Sequence, residues 1–196
     1  MNALSMSNKS LAILVIGLLV VFSLPAFAAE TYKLDPAHTS IVFRVKHLGI
    51  AYVYGRFNGP TGSFVFDESS PSKSTIEVQA DTKNVDTAVE KRDTHLKSPD
   101  FFNAEKYPLV SFKSKSVKKL DDATYEVSGE LTLLGKTRPI TVKANATGAG
   151  KDPWGNFRRG FETSFSIKRS EYGMDFMMGG VSDEVNLTVS IEGIRQ

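Results

Sequence analysis

From Glu184 to Glu192 the chain sets Val185, Leu187, Val189 and Ile191 at every second position, with Glu184, Asn186, Thr188, Ser190 and Glu192 between them. Successive side chains of an extended strand point to opposite faces, so this alternation means one face in an apolar core and one in water. The same period returns along most of the chain. Ile41, Phe43 and Val45 share one face of Thr39 to His47, and Phe64 and Phe66 share one face of the strand after Gly59-Pro60-Thr61-Gly62. Ile76, Val78 and Ala80 alternate with Glu77, Gln79 and Asp81; Tyr125, Val127, Leu131 and Leu133 alternate with Glu126, Ser128, Glu130 and Thr132. Phe161, Thr163, Phe165 and Ile167 form a further inward face. Gly135-Lys136 is read as a turn, and Gly148-Ala149-Gly150 as a loosening of the chain. Roughly eight strands separated by turn signals predict an all-β antiparallel sandwich or barrel.

Aromatics favour the barrel. Phe43, Phe57, Phe64, Phe66, Phe112, Phe161 and Phe165 all fall on strand positions. A sandwich core can be filled by aliphatic side chains. A closed sheet of about eight strands has an interior that side chains just fill or that holds one small ligand. Large stiff rings suit an enclosed slot that does not collapse.

One stretch, Val85 to Phe112, does not alternate. Thr87-Ala88-Val89-Glu90 has capping-box spacing, and Val85, Ala88, Val89, Arg92 and Leu96 then fall on one helical face. Ser98-Pro99-Asp100 is read as starting a second helical turn carrying Phe101 and Phe102, with Tyr107-Pro108 returning the chain to extended geometry. The expectation is a short helical plug across one barrel mouth.

The first residues read as an export signal. Lys9 is a positive flank, Leu11 to Phe22 an apolar core too short for a membrane span, and Ala26-Phe27-Ala28 an A-x-A cleavage pattern. Residues 1–28 are therefore expected to be a cleaved signal peptide and 29–196 one domain, placed in a bacterial periplasm. The chain has no cysteine. Without Lys9 the basic residues fall from 24 to 23 against 22 acidic, a balance that argues against a nucleic-acid partner and gives no electrostatic reason to sit on an anionic membrane.

Catalytic patterns are absent. The three histidines, His38, His47 and His95, show no zinc-site spacing, there is no Gly-x-Ser-x-Gly elbow, and the glycine-rich pieces fit no phosphate loop. Neither a metal nor a cofactor is expected. Arg92 and His95 on the plug either hold it to the rim or meet a polar head group. Tyr172 to Gly180 gathers three of the five methionines beside two aromatics; thioethers adapt to irregular apolar ligands, although the same loop could simply close the barrel end.

Several segments together resemble the YceI-like family of exported lipid-binding proteins. They are Tyr32 to Ser40 with Phe43 to Gly49, Gly55-Arg56-Phe57, Lys91 to Phe102, Tyr107-Pro108, Gly129 to Thr132 and Ser170 to Met174. The resemblance implies a lipocalin-like antiparallel barrel of eight strands with a helical insertion and a long apolar channel. It also implies a non-covalently held isoprenoid lipid, such as a polyprenyl phosphate or quinone-like molecule, no catalysis and no stable membrane insertion; a homodimer is compatible with it. The expected lining is Phe43, Val45, Phe57, Phe64, Phe66, Ile76, Val78, Phe101, Phe102, Phe112, Phe165, Met174 and Phe176. The alternatives are a hydrolase or isomerase using His47 or His95 on a hydrophobic substrate, and an interaction module binding through exposed strand edges.

Overall fold

The computed structural model describes residues 29–196; the expected signal peptide, 1–28, lies outside the described residues. The strands are β1 (Glu30–Leu34), β2 (Ser40–His47), β3 (Ala51–Phe57), β4 (Thr61–Phe66), β5 (Thr75–Asp81), β6 (Val85–Asp86), β7 (Leu109–Lys119), β8 (Thr124–Leu133), β9 (Lys136–Lys151), β10 (Phe157–Lys168) and β11 (Val181–Arg195), with one helix, α1 (Glu90–Lys97).

Closure follows from the length of β11. The strand that carries the clean alternation is fifteen residues long, and one of its edges carries two partners in succession. Near its end Arg195 and Gly193 pair with Tyr32 and Leu34 of β1, and along the rest Ser190 to Val181 pair with Ser40 to His47 of β2. Between them Asp35 accepts a hydrogen bond from the Ala37 amide at 3.0 Å, an Asx turn that interrupts the strand. β3 and β4 likewise follow one line across Asn58 to Pro60, and β5 and β6 follow another across the 3-10 turn Thr82–Asn84. These three broken staves and the five continuous strands β7 to β11 make a closed antiparallel barrel of eight staves.

Two sequence expectations shift. Gly148-Ala149-Gly150 does not leave the sheet: β9 runs through it to Lys151, and the irregularity is absorbed by a bulge opposite Gly160-Phe161. The helix begins later than the capping box suggests. Asp86 accepts from the Ala88 amide at 2.9 Å, Ala88 is turned to φ 60°, and Val85 is drawn into β6 opposite Phe57. A helix cannot run through a left-handed alanine. The Thr87 hydroxyl instead bonds Asp93 and accepts from Arg92 Nε at 2.7 Å, which fastens α1 from its side. Ser98 closes α1, and Pro99 to Lys106 continue as turns rather than a second helix.

One barrel end is packed solid. Tyr32 stacks on Phe64 with centroids 4.7 Å apart, and Phe66, Tyr125 and Phe161 meet edge-on or tilted at 5.3–6.0 Å. The Arg159 guanidinium lies 4.4 Å from the Phe66 ring centroid. At the other end no strand closes the lumen; α1, the turn segment after it and the loop before β11 do so.

Candidate functional site

Inward-facing residues of the staves leave the middle of the barrel unfilled. A cavity of about 120 Å³ lies above the packed end, walled by Ile41, Ile76, Val78, Phe112, Val127, Ile140, Val142, Phe161, Phe165 and their neighbours. A second, of about 100 Å³, lies on the plug side against Phe43, Val45, Leu96, Phe101, Phe102, Leu133, Met174 and Val185. Phe57, Val110, Leu131 and Leu187 line both, so the two adjoin.

The open lumen depends on where the rings lie. A Cβ at Gly55 would meet the Phe43 ring at 2.3 Å, and one at Gly129 would meet the Phe112 ring at 2.5 Å. Both rings therefore lie flat over bare backbone instead of reaching across the lumen. Because inward side chains alternate with outward ones, each strand contributes such a wall position every second residue.

Few polar groups reach the lining. The Thr163 hydroxyl, on the inward face of β10, is buried without a hydrogen-bond partner, and Thr163 lines the first cavity. Arg169, at the edge of the second, is only 1% exposed. It donates through Nε to the Ser182 carbonyl (2.9 Å), through Nη1 to those of Met174 and Phe176 (both 2.8 Å) and through Nη2 to that of Val181 (2.9 Å). Burial lowers its pKa, opposed by the nearby charges of Asp183 and Asp175. An arginine remains a cation through any such shift, so one positive charge sits at the rim of an apolar chamber.

Ten expected lining residues, Phe43, Val45, Phe57, Ile76, Val78, Phe101, Phe102, Phe112, Phe165 and Met174, lie on one cavity or the other. Phe64 and Phe66 do not; they form the aromatic stack of the packed end, because the lumen there is narrow enough for rings to meet. Phe176 is displaced outward and stands edge-on to Phe101 (5.4 Å) and His95 (5.3 Å) as an outer layer of the plug. Of the two head-group candidates, Arg92 spends its donors on Thr87, and His95 Nε2 pairs with Asp100 at 2.8 Å. Neither lines a cavity, and His47 lies exposed at the end of β2.

Sequence reasoning missed Leu131, Ile140, Val142, Leu187 and Arg169 as lining. The signal was present: alternation through Phe165 and Ile167 puts position 169 inward, but the Lys168-Arg169 pair reads as a solvated turn. The spacing also gave no hint that Asp35, His38 and Glu192 hold ligand-type atoms within 4.8 Å of one another at the packed end. Arg158 Nη1 already lodges between the two carboxylates, 2.7 Å from Asp35 and 2.6 Å from Glu192, so the cation of that cluster is a guanidinium.

Comparison with known proteins matches residues 32–193 to the YceI-like domain. The chain belongs to the YceI-like family. A UPF0312 protein of Pseudomonas aeruginosa (strain LESB58) is 45% identical over 97% of this chain and 100% of its own length. Among solved structures, Burkholderia cenocepacia BcnA superposes with a TM-score of 0.74 at 21% identity, covering 81% of this chain and 98% of its own. A polyisoprenoid binding domain from Saccharophagus degradans, implicated in plant cell wall breakdown, superposes at 0.67 with 14% identity, covering 84% and 98%. At those identities the two structures speak for the YceI-like fold alone. No helix among the described residues is long and apolar enough to cross a membrane.

Proposed function

We propose that this YceI-like barrel holds a long isoprenoid-type lipid non-covalently and acts as an exported, periplasmic carrier rather than an enzyme. The observation that carries this reading is the pair of adjoining cavities, walled almost wholly by aliphatic and aromatic side chains and running from the aromatic stack to the plug. An elongated apolar chain removed from water gains about 2.5 kcal/mol for each 100 Å² it buries, before ordering costs are subtracted. The rings flattened over Gly55 and Gly129 keep that space available. The Thr163 hydroxyl and the Arg169 rim are the polar groups nearest the lumen that could orient a guest's oxygen atoms. The name of the Saccharophagus degradans domain supports the same ligand class.

The test is organic extraction of purified protein followed by mass spectrometry, beside a Leu187→Trp variant. Leu187 lines both cavities, so an indole there obstructs the passage between them. The expected result is a long-chain lipid from the wild type and its loss from the variant with the circular dichroism unchanged. A wild-type extract without any hydrophobic molecule overturns the proposal.

A further inference from the structure

The apolar surface of this protein is unevenly placed. Leu48 and Ile50, at the tip of the β2–β3 hairpin, are 57% and 81% exposed, and Phe176, Met177 and Met178 stand out from the loop before β11. These two groups form one rim. The Leu48 amide donates to the Gly180 carbonyl at 2.8 Å, His47 pairs with Val181, and a Cβ at Gly180 would lie 3.0 Å from the Met177 methyl and 3.8 Å from Leu48. The rim is continuous with the lumen, since Met174 and Val181, on either side of that loop, line the second cavity.

Behind the tip the hairpin changes character in steps. Tyr52 and Tyr54 are exposed on β3. The Arg44 guanidinium lies 4.4 Å from the Tyr52 ring centroid and the Lys46 ammonium 5.8 Å from it. Aliphatic side chains at the tip, tyrosines behind them and cations with long stems alongside reproduce the succession of a bilayer surface: acyl chains, interface and phosphates. Asp175 and Glu184 lie close by in the chain. These two carboxylates offset the two cations in number, which leaves the apolar tip as the distinguishing feature of this end.

We infer that the rim formed by Leu48, Ile50, Phe176, Met177 and Met178 docks transiently on the surface of a phospholipid bilayer, with Arg44 and Lys46 meeting lipid phosphates. The inference rests on the carrier reading and supplies its entry point: a lipid reaches the second cavity beneath the rim without crossing water. Each aliphatic side chain buried in the acyl region contributes roughly tenfold or more to partitioning.

The chain's single tryptophan, Trp154, provides the control. It is 78% exposed on the β9–β10 hairpin, whose neighbour Arg158 pairs with Ile194, at the far end of β11 from Val181. Purified full chain is mixed with vesicles of phosphatidylethanolamine and phosphatidylglycerol carrying brominated acyl chains, which quench an indole inserted among them. In an Ile50→Trp/Trp154→Phe variant the position-50 indole should lose most of its emission, whereas Trp154 in the otherwise unaltered chain should keep it. Adding Leu48→Asp should restore the position-50 emission. Unquenched emission at position 50, or quenching of Trp154 alone, overturns the inference. So does sedimentation showing that Leu48→Asp/Ile50→Asp dissociates a dimer while vesicle binding is unchanged, since the rim would then join two copies of the chain. Organic extracts of the same protein preparations, taken before vesicles are added, separate the two readings. Extractable lipid without quenching leaves the carrier and removes the docking; quenching without extractable lipid does the reverse.

Discussion

Replacing Arg169 with methionine tests how the plug-side end is held shut. Methionine keeps an unbranched stem of similar length but removes the guanidinium, leaving the carbonyls of Met174, Phe176, Val181 and Ser182 without their donor. A hydrogen bond to a charged group is worth about 1.5–3 kcal/mol, so four of them set a ceiling near 6–12 kcal/mol. The real loss is smaller, because the Met174 to Val181 loop lies at the surface and its freed carbonyls can turn to water. Removing the guanidinium also ends the cost of burying it. An acceptor left unpaired in the interior costs about 1–3 kcal/mol, so with part of the four rehydrated we expect a loss of about 3–5 kcal/mol. For a domain of about 150–250 residues this lowers Tm by roughly 6–20 °C. The assay is thermal and urea unfolding by circular dichroism, with hydrogen exchange over residues 174–182. Exchange there should rise more than in β8 to β10, since the loop is lost first. An unchanged Tm together with unchanged loop exchange would refute the assignment of Arg169 as the anchor.

Two further outcomes follow from the lumen and from the packed end. Gly55→Ala forces the Phe43 ring off the wall, so we expect destabilisation of about 1–3 kcal/mol from overpacking and reduced lipid retention, both relieved by adding Phe43→Leu; a neutral Gly55→Ala would show that the ring has space elsewhere. Asp35 is held at about 2, first by hydrogen bonding to Arg158 and then by His38. Burial works to raise the Asp152 carboxyl, yet Arg158 and Asn156 outweigh it and bring it also to about 2. Both folded values lie below the ordinary carboxylate range, so their contribution is full above roughly pH 4 and is lost as pH falls toward 2. Arg158→Met should therefore raise the acid-unfolding midpoint by on the order of one pH unit, measured by fluorescence of Trp154; an unmoved midpoint would show that the cluster does not govern acid stability.

The barrel was legible because its core residues obey a two-residue period, and the strand around Val185 to Ile191 stands in the structure as its alternation dictates. What misled was local competition. The Thr87 hydroxyl could cap a helix or bond Asp93, and only the Asx turn at Asp86, which twists Ala88 to a positive φ, decides between them. Depth along the barrel was equally hidden. Phe64 and Phe112 have the same pattern in the sequence, yet one joins the aromatic stack and the other borders the cavity, because their heights depend on pairing across strands distant in the chain. The outward turn of Phe176 belongs to an irregular segment, where periodicity has little to say, whereas the alternation that carries Arg169 inward was masked by the basic Lys168 beside it.

The three broken staves interrupt the wall side by side, at Asp35 to Thr39, Asn58 to Pro60 and Thr82 to Asn84. β7 to β11 run without such a break, β7 starting at Leu109 opposite Asp81, just before the third joint. Bridges such as the Asn58 amide to the Asn84 carbonyl, at 3.0 Å, span this seam where regular ladder bonds would otherwise run. One side of the cylinder is thus a spine and the other a row of joints on neighbouring staves. Backbone amides along that row have fewer ladder partners, so their hydrogen exchange should run ahead of that in β8 to β11.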